Sequence, residues 1–259
     1  MKIGIVSDLH IDYINFSHIS ALKVAALKKL IPEFDVFLMC GDNTEPRISN
    51  YNRNEFYRML RQVSDIPIAT VLGNHDLFGK EFPTEVSIED IKNRQKGFEN
   101  VFKDNNIINL DYQNLVIGDI TVFGTYAHYD GTLSNSISEI DFKTAKYLND
   151  ALKDRANVPG RKLLISHTVP TIDMIGREQD DLQKKRFNFF AGSSQLEKTI
   201  KQISPDWHFC GHSHAYAQSK IGRTPSFNVG SELQNLFYFI LDFETGLVER
   251  KEFDLDYEF

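Results

Sequence analysis

The sequence predicts an α/β fold with mixed sheets, and two patterns carry that prediction. Short apolar runs alternate with segments of helical spacing as far as residue 210, which is typical of parallel strands joined by right-handed crossovers. After residue 225 the apolar runs follow one another without a helical segment between them, which indicates added antiparallel strands. A chain of 259 residues can bury a substantial core. Since no internal repeat or low-complexity linker divides it, we expect a single domain over 1–259.

The predicted strands are apolar runs short enough to be buried strands. In chain order they cover residues 3–7, 36–40, 68–72, 120–126, 162–166, 207–210, 226–229, 236–243 and 247–253. Glu244, Thr245 and Gly246 separate the last two runs and predict a hairpin turn.

The predicted helices lie between these strands. Helical spacing of apolar residues covers 20–30, 54–63, 88 to about 102, 142–152 and 196–203. Residues 168–194 form the least regular stretch, with charged residues that include Lys184, Lys185 and Arg186 before three phenylalanines. Long irregular loops are often functional or mobile. A solvent-exposed loop whose phenylalanines pack on the core is an equally good interpretation.

Composition limits the classes of partner. The net charge of −7 does not favour nucleic acid, although a local basic patch is compatible with it. No apolar run reaches transmembrane length, and the first residues enter a strand without a signal-peptide pattern. Cys40 and Cys210 each lie in an apolar run, as buried reduced thiols do. We therefore expect a cytoplasmic protein with no membrane partner.

Polar residues collect where the predicted strands end. They are Asp8 and His10, Gly41 and Asp42, Gly73 to Asp76, His167, and Gly211 to His214. The carboxyl ends of parallel strands form the ligand crevice of an α/β sheet. Each cluster alone is a weak signal, but five clusters of metal-ligand residue types at strand ends are hard to attribute to packing. The sequence therefore predicts a metal site at this edge.

The order of these motifs resembles the calcineurin-like metallophosphoesterase superfamily. Asp-x-His is followed by Gly-Asp, Gly-Asn-His-Asp, a single His and Gly-His-x-His, from Asp8 to His214. Residues 227–231, Phe-Asn-Val-Gly-Ser, also resemble that family's Asn-x-Gly-Ser strand. The resemblance implies a four-layer α-β-β-α sandwich with two mixed sheets and a dinuclear metal centre at the strand ends.

The resemblance also implies which residues hold the metals. The ligands of the first ion would be Asp8, His10, Asp42 and His214, and those of the second Asp42, Asn74, His167 and His212. Asp42 would bridge two divalent ions about 3.5–4 Å apart. The mixed nitrogen and oxygen donors suit Mn, Fe, Co, Ni or Zn, and the sequence does not choose among them.

The implied reaction is hydrolysis of a phosphate ester by a metal-bridging hydroxide. His75 is not needed as a ligand, so we expect it to stabilise the transition state and act as general acid. A carboxylate should orient it. Asp76 adjoins His75 in the sequence, and Glu45 occupies the place of an acidic partner in some relatives. His128, just past a predicted strand, is a candidate substrate contact, and a hydrogen-bonded structural histidine is the alternative.

The implied substrate is a phosphate ester, either a nucleotide, a cyclic nucleotide or another small phosphodiester, and a diester is favoured. Phosphoprotein phosphatases of the superfamily usually carry Gly-Asp-x-Val-Asp-Arg-Gly and Gly-Asn-His-Glu. This chain has Gly-Asp-Asn-Thr-Glu-Pro-Arg over 41–47 and ends its third motif in Asp76. That departure argues against a protein phosphatase and leaves a small nuclease open.

Three alternatives stay open beside the diesterase. The first is a phosphomonoesterase of the same superfamily. The second is a non-catalytic scaffold with this fold, as in a retromer subunit. The third is an amidohydrolase, but those enzymes usually open with His-x-His on the first strand, whereas here that pair comes last.

Overall fold

The computed structural model describes residues 1–11, 18–44, 50–78, 85–134, 137–176, 190–231, 235–253 and 255. Two mixed sheets of six strands each form the centre of the molecule. Each sheet has three parallel strand pairs with antiparallel strands added at its edges. The mixed character predicted from the alternating and consecutive strand patterns is confirmed.

The first sheet has the strand order β12-β11-β1-β2-β3-β4. Its strands are β1 (Lys2–Val6), β2 (Val36–Met39), β3 (Ile68–Thr70), β4 (Ile108–Asn109), β11 (Leu236–Asp242) and β12 (Val248–Phe253). β1 to β4 run parallel, and β11 joins β1 in the antiparallel sense. The carboxyl ends of β1, β2 and β3 therefore meet at one edge.

The second sheet has the strand order β5-β6-β7-β8-β10-β9. Its strands are β5 (Leu115–Ile117), β6 (Ile120–Thr125), β7 (Arg161–Ser166), β8 (Trp207–Cys210), β9 (Ala217–Ile221) and β10 (Thr224–Asn228). β6, β7, β8 and β10 run parallel. Their carboxyl ends deliver the remaining site residues.

The helices cover the outer faces of the sheets. They are α1 (His18–Leu30), α2 (Asn50–Val63), α3 (Asn74–Leu77), α4 (Ile88–Asp104), α5 (Glu139–Arg155) and α6 (Ser194–Ile203). Ser87, Ser138 and Ser193 cap the amino termini of α4, α5 and α6 by accepting backbone N–H bonds. In the parts of the chain that the structure describes, no helix combines the length and apolarity needed to span a bilayer.

Three apolar clusters fill the three interfaces of a four-layer sandwich. Alternate residues of each strand point to opposite faces, so Ile5 and Leu38 enter the cluster between the sheets. Phe37 points the other way, into the cluster beneath α1, α2 and α4. Leu164 packs with α5 and α6 in the third cluster. The α-β-β-α layering is confirmed.

The sequence patterns do not predict the short elements. β4 has two residues, β5 three, and α3 only four, too few to show a period of 2.0 or 3.6. β9, Ala217–Ile221, alternates buried and exposed positions but contains polar side chains at three of its five positions. Pairing with β10, five residues in register, makes this segment a strand.

Candidate metal centre

The predicted ligands follow the carboxyl ends of five parallel strands, on loops in every case but Asn74, which is the first residue of α3. Backbone bonds tie neighbouring loops together, from Asp8 N to Gly41 O at 3.0 Å and from His10 N to Asp42 O at 2.9 Å. Left-handed backbone recurs at these ligands. The φ values are 54° at Asp8, 48° at His10, 52° at Asp42, 73° at His212 and 56° at His214. Such angles are uncommon outside glycine and persist where the surroundings enforce them.

The first cluster consists of Asp8, His10, Asp42 and His214, whose ligand atoms all lie within 4.8 Å of one another. Nε2 of His10 is 3.1 Å from Nε2 of His214. Nε2 of His214 is 3.5 Å from Oδ1 of Asp8, and Nε2 of His10 is 3.8 Å from Oδ2 of Asp42. The His214 side chain is 20% exposed, so the cluster is accessible from that side.

The second cluster consists of Asp42, His167 and His212. Nδ1 of His212 lies 3.2 Å from Nε2 of His167, which lies 3.3 Å from Oδ2 of Asp42. Oδ1 of Asn74 reaches the same His167 nitrogen at 2.8 Å. The structure therefore brings together all seven predicted ligands, in two groups that share Asp42.

Asp42 is the atomic link between the clusters. It is 1% exposed, and its Oδ1 accepts the His75 backbone N–H at 2.8 Å. Oδ2 is buried and has no hydrogen-bond partner among the described residues. A buried carboxylate oxygen without a donor is costly, and a cation would relieve that cost. The donor set and this orphaned oxygen therefore fit a pair of metal ions.

Gly73 leaves the space that Asp42 occupies. A Cβ at Gly73 would collide with Oδ1 and with the backbone nitrogen of Asp42. Glycine is thus required because two ligand-bearing loops approach each other closely. A Cβ at Gly211 would likewise collide with Ser7 and Asp8, so Gly211 also provides room for a close approach.

Outer hydrogen bonds orient two of the imidazoles. Nδ1 of His167 donates to Cys40 O at 2.9 Å, so Nε2 faces the cluster. His212 is turned the opposite way, since its Nε2 donates to Phe190 O at 2.8 Å and Nδ1 faces the cluster. Carbonyl partners of this kind hold a metal-binding imidazole in the required tautomer.

The charges of the cluster perturb one another. Burial opposes the carboxylate form of Asp42, but the charge of His167, whose Nε2 is 3.3 Å from Oδ2, outweighs burial and holds the pKa of Asp42 well below its usual range. Burial also opposes protonation of His167, yet Asp42 raises the pKa of His167 to about 9. Burial and the neighbouring His167 charge lower the pKa of His212 to about 3. Without metal, the second cluster holds its proton on His167.

Asp76 contacts the ligand loops. Its carboxylate is fully buried, and each oxygen accepts two bonds. Oδ1 accepts from the backbone N and Oγ1 of Thr44, both at 3.1 Å. Oδ2 accepts from the backbone N of Gly73 at 2.9 Å and of Asn43 at 3.3 Å. Asp76 thus joins the loop that carries Asp42 to Gly73, which directly precedes Asn74.

His75 lies beside the first cluster. Its ring centroid is 4.7 Å from that of His10, with the two planes nearly perpendicular. The half-buried His75 also reaches Asp42 through its backbone N–H. Glu45, the alternative carboxylate partner, and the basic residues 184–186 lie outside the described residues.

His128 is in the protein interior. It is fully buried, its Nε2 bonds to Oδ1 of Asp141 at 2.8 Å, and its Nδ1 bonds to the Tyr126 hydroxyl at 3.4 Å. Burial, despite the opposing effect of Asp141, lowers the pKa of His128. Both ring nitrogens are thus engaged by protein groups, as in a structural histidine, and we leave His128 out of the proposed site.

Sequence reasoning missed buried residues that support the ligand loops. Lys23 of α1 is 2% exposed and donates from Nζ to Leu9 O at 3.1 Å, between two ligands. Burial, opposed by the charge of Asp8, lowers the pKa of Lys23 to about 8. Nothing in an amphipathic helical stretch distinguishes this lysine. Asn228 is fully buried and donates to Oγ of Ser213, between two ligands, at 2.5 Å, and the resemblance of residues 227–231 marks this segment in the sequence.

Solved structures share this fold at low sequence identity. The protein TT1561 of Thermus thermophilus is 17% identical with a TM-score of 0.62, over 97% of this chain and 98% of that chain. Phosphopantetheinyl hydrolase (PptH) from Mycobacterium tuberculosis is 14% identical with a TM-score of 0.65, over 89% of each chain. GAP50, the anchor in the inner membrane complex of Plasmodium, is 13% identical with a TM-score of 0.56, over 99% of this chain and 85% of that chain. At such identities the likeness shows the fold alone.

Sequence comparison identifies the family. No curated protein sequence matches this chain significantly. A family model described as calcineurin-like phosphoesterase matches residues 1–216, a span that contains every residue of both clusters. The chain therefore belongs to the calcineurin-like phosphoesterase family, whose members are metal-dependent hydrolases of phosphate esters.

Proposed function

We propose that this protein is a phosphodiesterase that depends on two divalent metal ions. The observation that carries the proposal is the pair of ligand clusters joined by the buried Asp42 carboxylate. A single metal would need only one of these groups. Two groups that share one carboxylate are the arrangement used to hold two ions side by side.

Seven side chains would hold the ions. The first ion would bind Asp8, His10, Asp42 and His214, and the second Asp42, Asn74, His167 and His212. Imidazole, carboxylate and amide donors together suit Mn, Fe, Co, Ni or Zn. When bound, the ions would polarise the phosphate oxygens and lower the pKa of the attacking water.

The protein itself contributes electrostatics and orientation. Among the ligands only Asp8 and Asp42 carry negative charge, so two divalent ions leave the centre positive and attractive to a phosphate anion. Cys40 O and Phe190 O hold the imidazoles of His167 and His212 at fixed angles. Pre-oriented ligands need little rearrangement during the reaction.

His75 is the proposed general acid. It is half-buried beside His10 and belongs to neither ligand cluster. A protonated imidazole at this position would stabilise negative charge on the phosphoryl group and donate a proton to the leaving oxygen. We propose that Asp76 supports this step indirectly, by fixing the loop that precedes His75.

The proposed substrates are small phosphodiesters, such as a nucleotide diester or a cyclic nucleotide. The motif over 41–47 and the ending of the third motif in Asp76 depart from the phosphoprotein phosphatase pattern. The net charge of −7 does not favour a long nucleic acid. A phosphomonoesterase is the second candidate, because the positive charge of a centre with two divalent ions would also attract monoesters.

A non-catalytic scaffold is the third candidate, since the fold is also that of a protein described as an anchor. The seven converging ligands argue against it here. Fold alone does not determine function, whereas a site with intact chemistry supports it. A scaffold would have no need for five left-handed ligand positions around a buried, donor-free carboxylate oxygen.

The test is an activity panel on protein reconstituted with Mn²⁺ or Ni²⁺. It compares bis-p-nitrophenyl phosphate, a cyclic nucleotide, a phosphomonoester and an amide substrate. We expect diesters to turn over fastest. His75→Ala should lose about 10²–10⁴-fold on the cyclic nucleotide, whose ribose oxygen needs a proton, and less on the p-nitrophenyl ester.

Metal content provides the matching control. His75→Ala should still bind two ions per chain, because His75 is not one of the ligands. Equal losses on both esters would remove His75 as general acid. Two bound ions with no turnover of any ester would favour the scaffold, and monoesters turning over faster than diesters would favour the phosphomonoesterase.

A further inference from the structure

Asn228 makes a buried amide network at the end of β10. The side chain is fully buried, and all of its polar atoms are used. Nδ2 donates to Ser213 Oγ at 2.5 Å and to Met174 O at 2.9 Å. Oδ1 accepts the Gly230 backbone N–H at 3.2 Å.

The first of these bonds reaches the turn that carries two ligands. Ser213 is fully buried and lies between His212 and His214, both of which have left-handed backbone. The Ser213 hydroxyl accepts from Asn228 and donates to Ala215 O at 3.5 Å. Left-handed backbone is unfavourable for residues other than glycine, so contacts from outside the turn are needed to hold this conformation.

The two histidines of this turn serve different clusters. His214 belongs to the group with Asp8 and His10, whereas His212 belongs to the group with His167. A rotation of the Ser213 peptide units would move both imidazoles at once. The hydrogen bond from Asn228 to Ser213 therefore affects both halves of the centre.

An amide is the side chain that these contacts require. Two acceptors, Ser213 Oγ and Met174 O, face Nδ2, and one donor, Gly230 N–H, faces Oδ1. Aspartate has the same shape but cannot donate to Met174 O, and alanine would leave all three groups without this partner. The network also ties the turn to the 3₁₀ turn Ile172–Met174, which follows His167 on the chain.

We propose that Asn228 is a positioning residue for the metal centre, which orients His212 and His214 through Ser213. This inference rests on the proposed function in that it presumes two ions at the clusters. It adds a residue outside the span matched by the family model, which ends at residue 216. Asn228 touches neither reacting atoms nor metal in this role.

The experiment measures metal binding directly. Co²⁺ titrations followed by visible absorption, and Mn²⁺ titrations followed by calorimetry, are run on wild type, Asn228→Ala, Asn228→Asp, Ser213→Ala and the Asn228→Ala/Ser213→Ala double variant. Loss of a partner that orients a metal ligand typically weakens metal affinity about 10–100-fold. We expect the Asn228 and Ser213 variants to lose metal affinity by this factor at both metal sites and to show a changed Co²⁺ spectrum.

The double variant tests the route through Ser213. If Asn228 acts through that hydroxyl, the double variant should bind metal about as weakly as Asn228→Ala alone. Ser213→Ala removes a single oxygen, so it keeps the test available if Asn228→Ala does not fold. If the fold-losses of metal affinity in the two single variants multiplied in the double variant, the proposed route through Ser213 would be overturned.

Asn105→Ala is the matched control. Asn105 is also buried and also donates twice from Nδ2, to Asn54 Oδ1 at 2.5 Å and to Val101 O at 2.7 Å, but it caps α4 away from the ligand loops. It should lose stability and keep wild-type metal affinity. An equal affinity loss in this control, or wild-type affinity in Asn228→Ala and Ser213→Ala, would overturn the proposal.

Ester turnover is measured in parallel on the wild type. A wild type that binds two ions without turnover contradicts the proposed function, and the comparison of Asn228 variants still stands on the titrations. A wild type that binds no metal overturns both.

Discussion

Oδ2 of Asp42 and Nε2 of His167 lie 3.3 Å apart in the interior, although the two residues leave different sheets. The same oxygen faces His10 of the other cluster at 3.8 Å. Asp42 is therefore the residue on which both halves of the centre depend. The inter-sheet core places it there, because the two sheets pack with the carboxyl ends of their parallel strands at a common edge.

Asp42→Asn should abolish stable binding of both ions. An amide keeps one oxygen but replaces the other with a donor that cannot bind a cation, so each cluster loses its shared ligand. We expect metal affinity to fall by at least about 100-fold, measured by calorimetry and by metal analysis after dialysis. Asp150→Asn on the exposed face of α5 is the control. Two tightly bound ions in Asp42→Asn would contradict the shared-ligand assignment.

Metal binding should release a proton from His167. With a pKa of about 9, this imidazole is protonated near neutral pH, and a cation competes with the proton for Nε2. Affinity should therefore rise about tenfold per pH unit as the pH increases from about 7 towards 9, and then level off. Calorimetry in buffers of different ionisation enthalpy counts the protons. His167→Gln should release about one proton fewer, and an unchanged count would refute the prediction.

Asp76→Asn should weaken the metal loops. The amide nitrogen would face backbone N–H groups that the carboxylate now accepts, so about 1–3 kcal/mol of stability should be lost, and metal affinity should fall roughly tenfold. Denaturant unfolding and metal titration measure the two effects. Asp141→Asn, which disturbs another buried carboxylate bonded to Val86 N–H, should lose stability alone. If Asp76→Asn instead bound metal normally and lost only turnover of esters with poor leaving groups, Asp76 would be an orienting partner of His75.

His208 should make the fold sensitive to acid. It is buried in β8, its Nε2 donates to Ser166 Oγ at 2.9 Å, and its Nδ1 has no partner among the described residues. Burial lowers its pKa from 6.5 to about 3. The pKa of His208 is lower in the folded state than in the unfolded state. Its contribution to the stability of the fold is therefore present above pH 6.5 and is lost as the pH falls towards 3.

The measurement is denaturant unfolding of metal-free protein at about pH 7 and about pH 4. Between these conditions the wild type should lose about 3 kcal/mol more than His208→Gln, because glutamine does not titrate. Subtracting the stability loss of His208→Gln from that of the wild type removes the contributions of the other titrating groups. Equal losses would show that His208 is protonated in the folded state.

The partner of His75 is a point that the sequence leaves open. It offers Asp76, the next residue, or Glu45 as the carboxylate that orients His75, and the Asp76 carboxylate accepts hydrogen bonds from Thr44, Gly73 and Asn43. His75 and Asp76 lie in α3, where consecutive side chains point in directions about 100° apart and do not face each other. The four-residue helix was too short to be seen in the sequence, so its geometry could not enter the prediction.

The sequence by itself determined most of the strands, the longer helices and the residue types at the strand ends. Those features follow from local signals, because apolar runs and helical spacing reflect which side of each element is buried. Only the tertiary structure decided that Asp76 contacts the loop backbone and that Asn228 forms a hydrogen bond with Ser213. These contacts join segments far apart in the chain, and the packing of two sheets over a common core brings them within hydrogen-bonding distance.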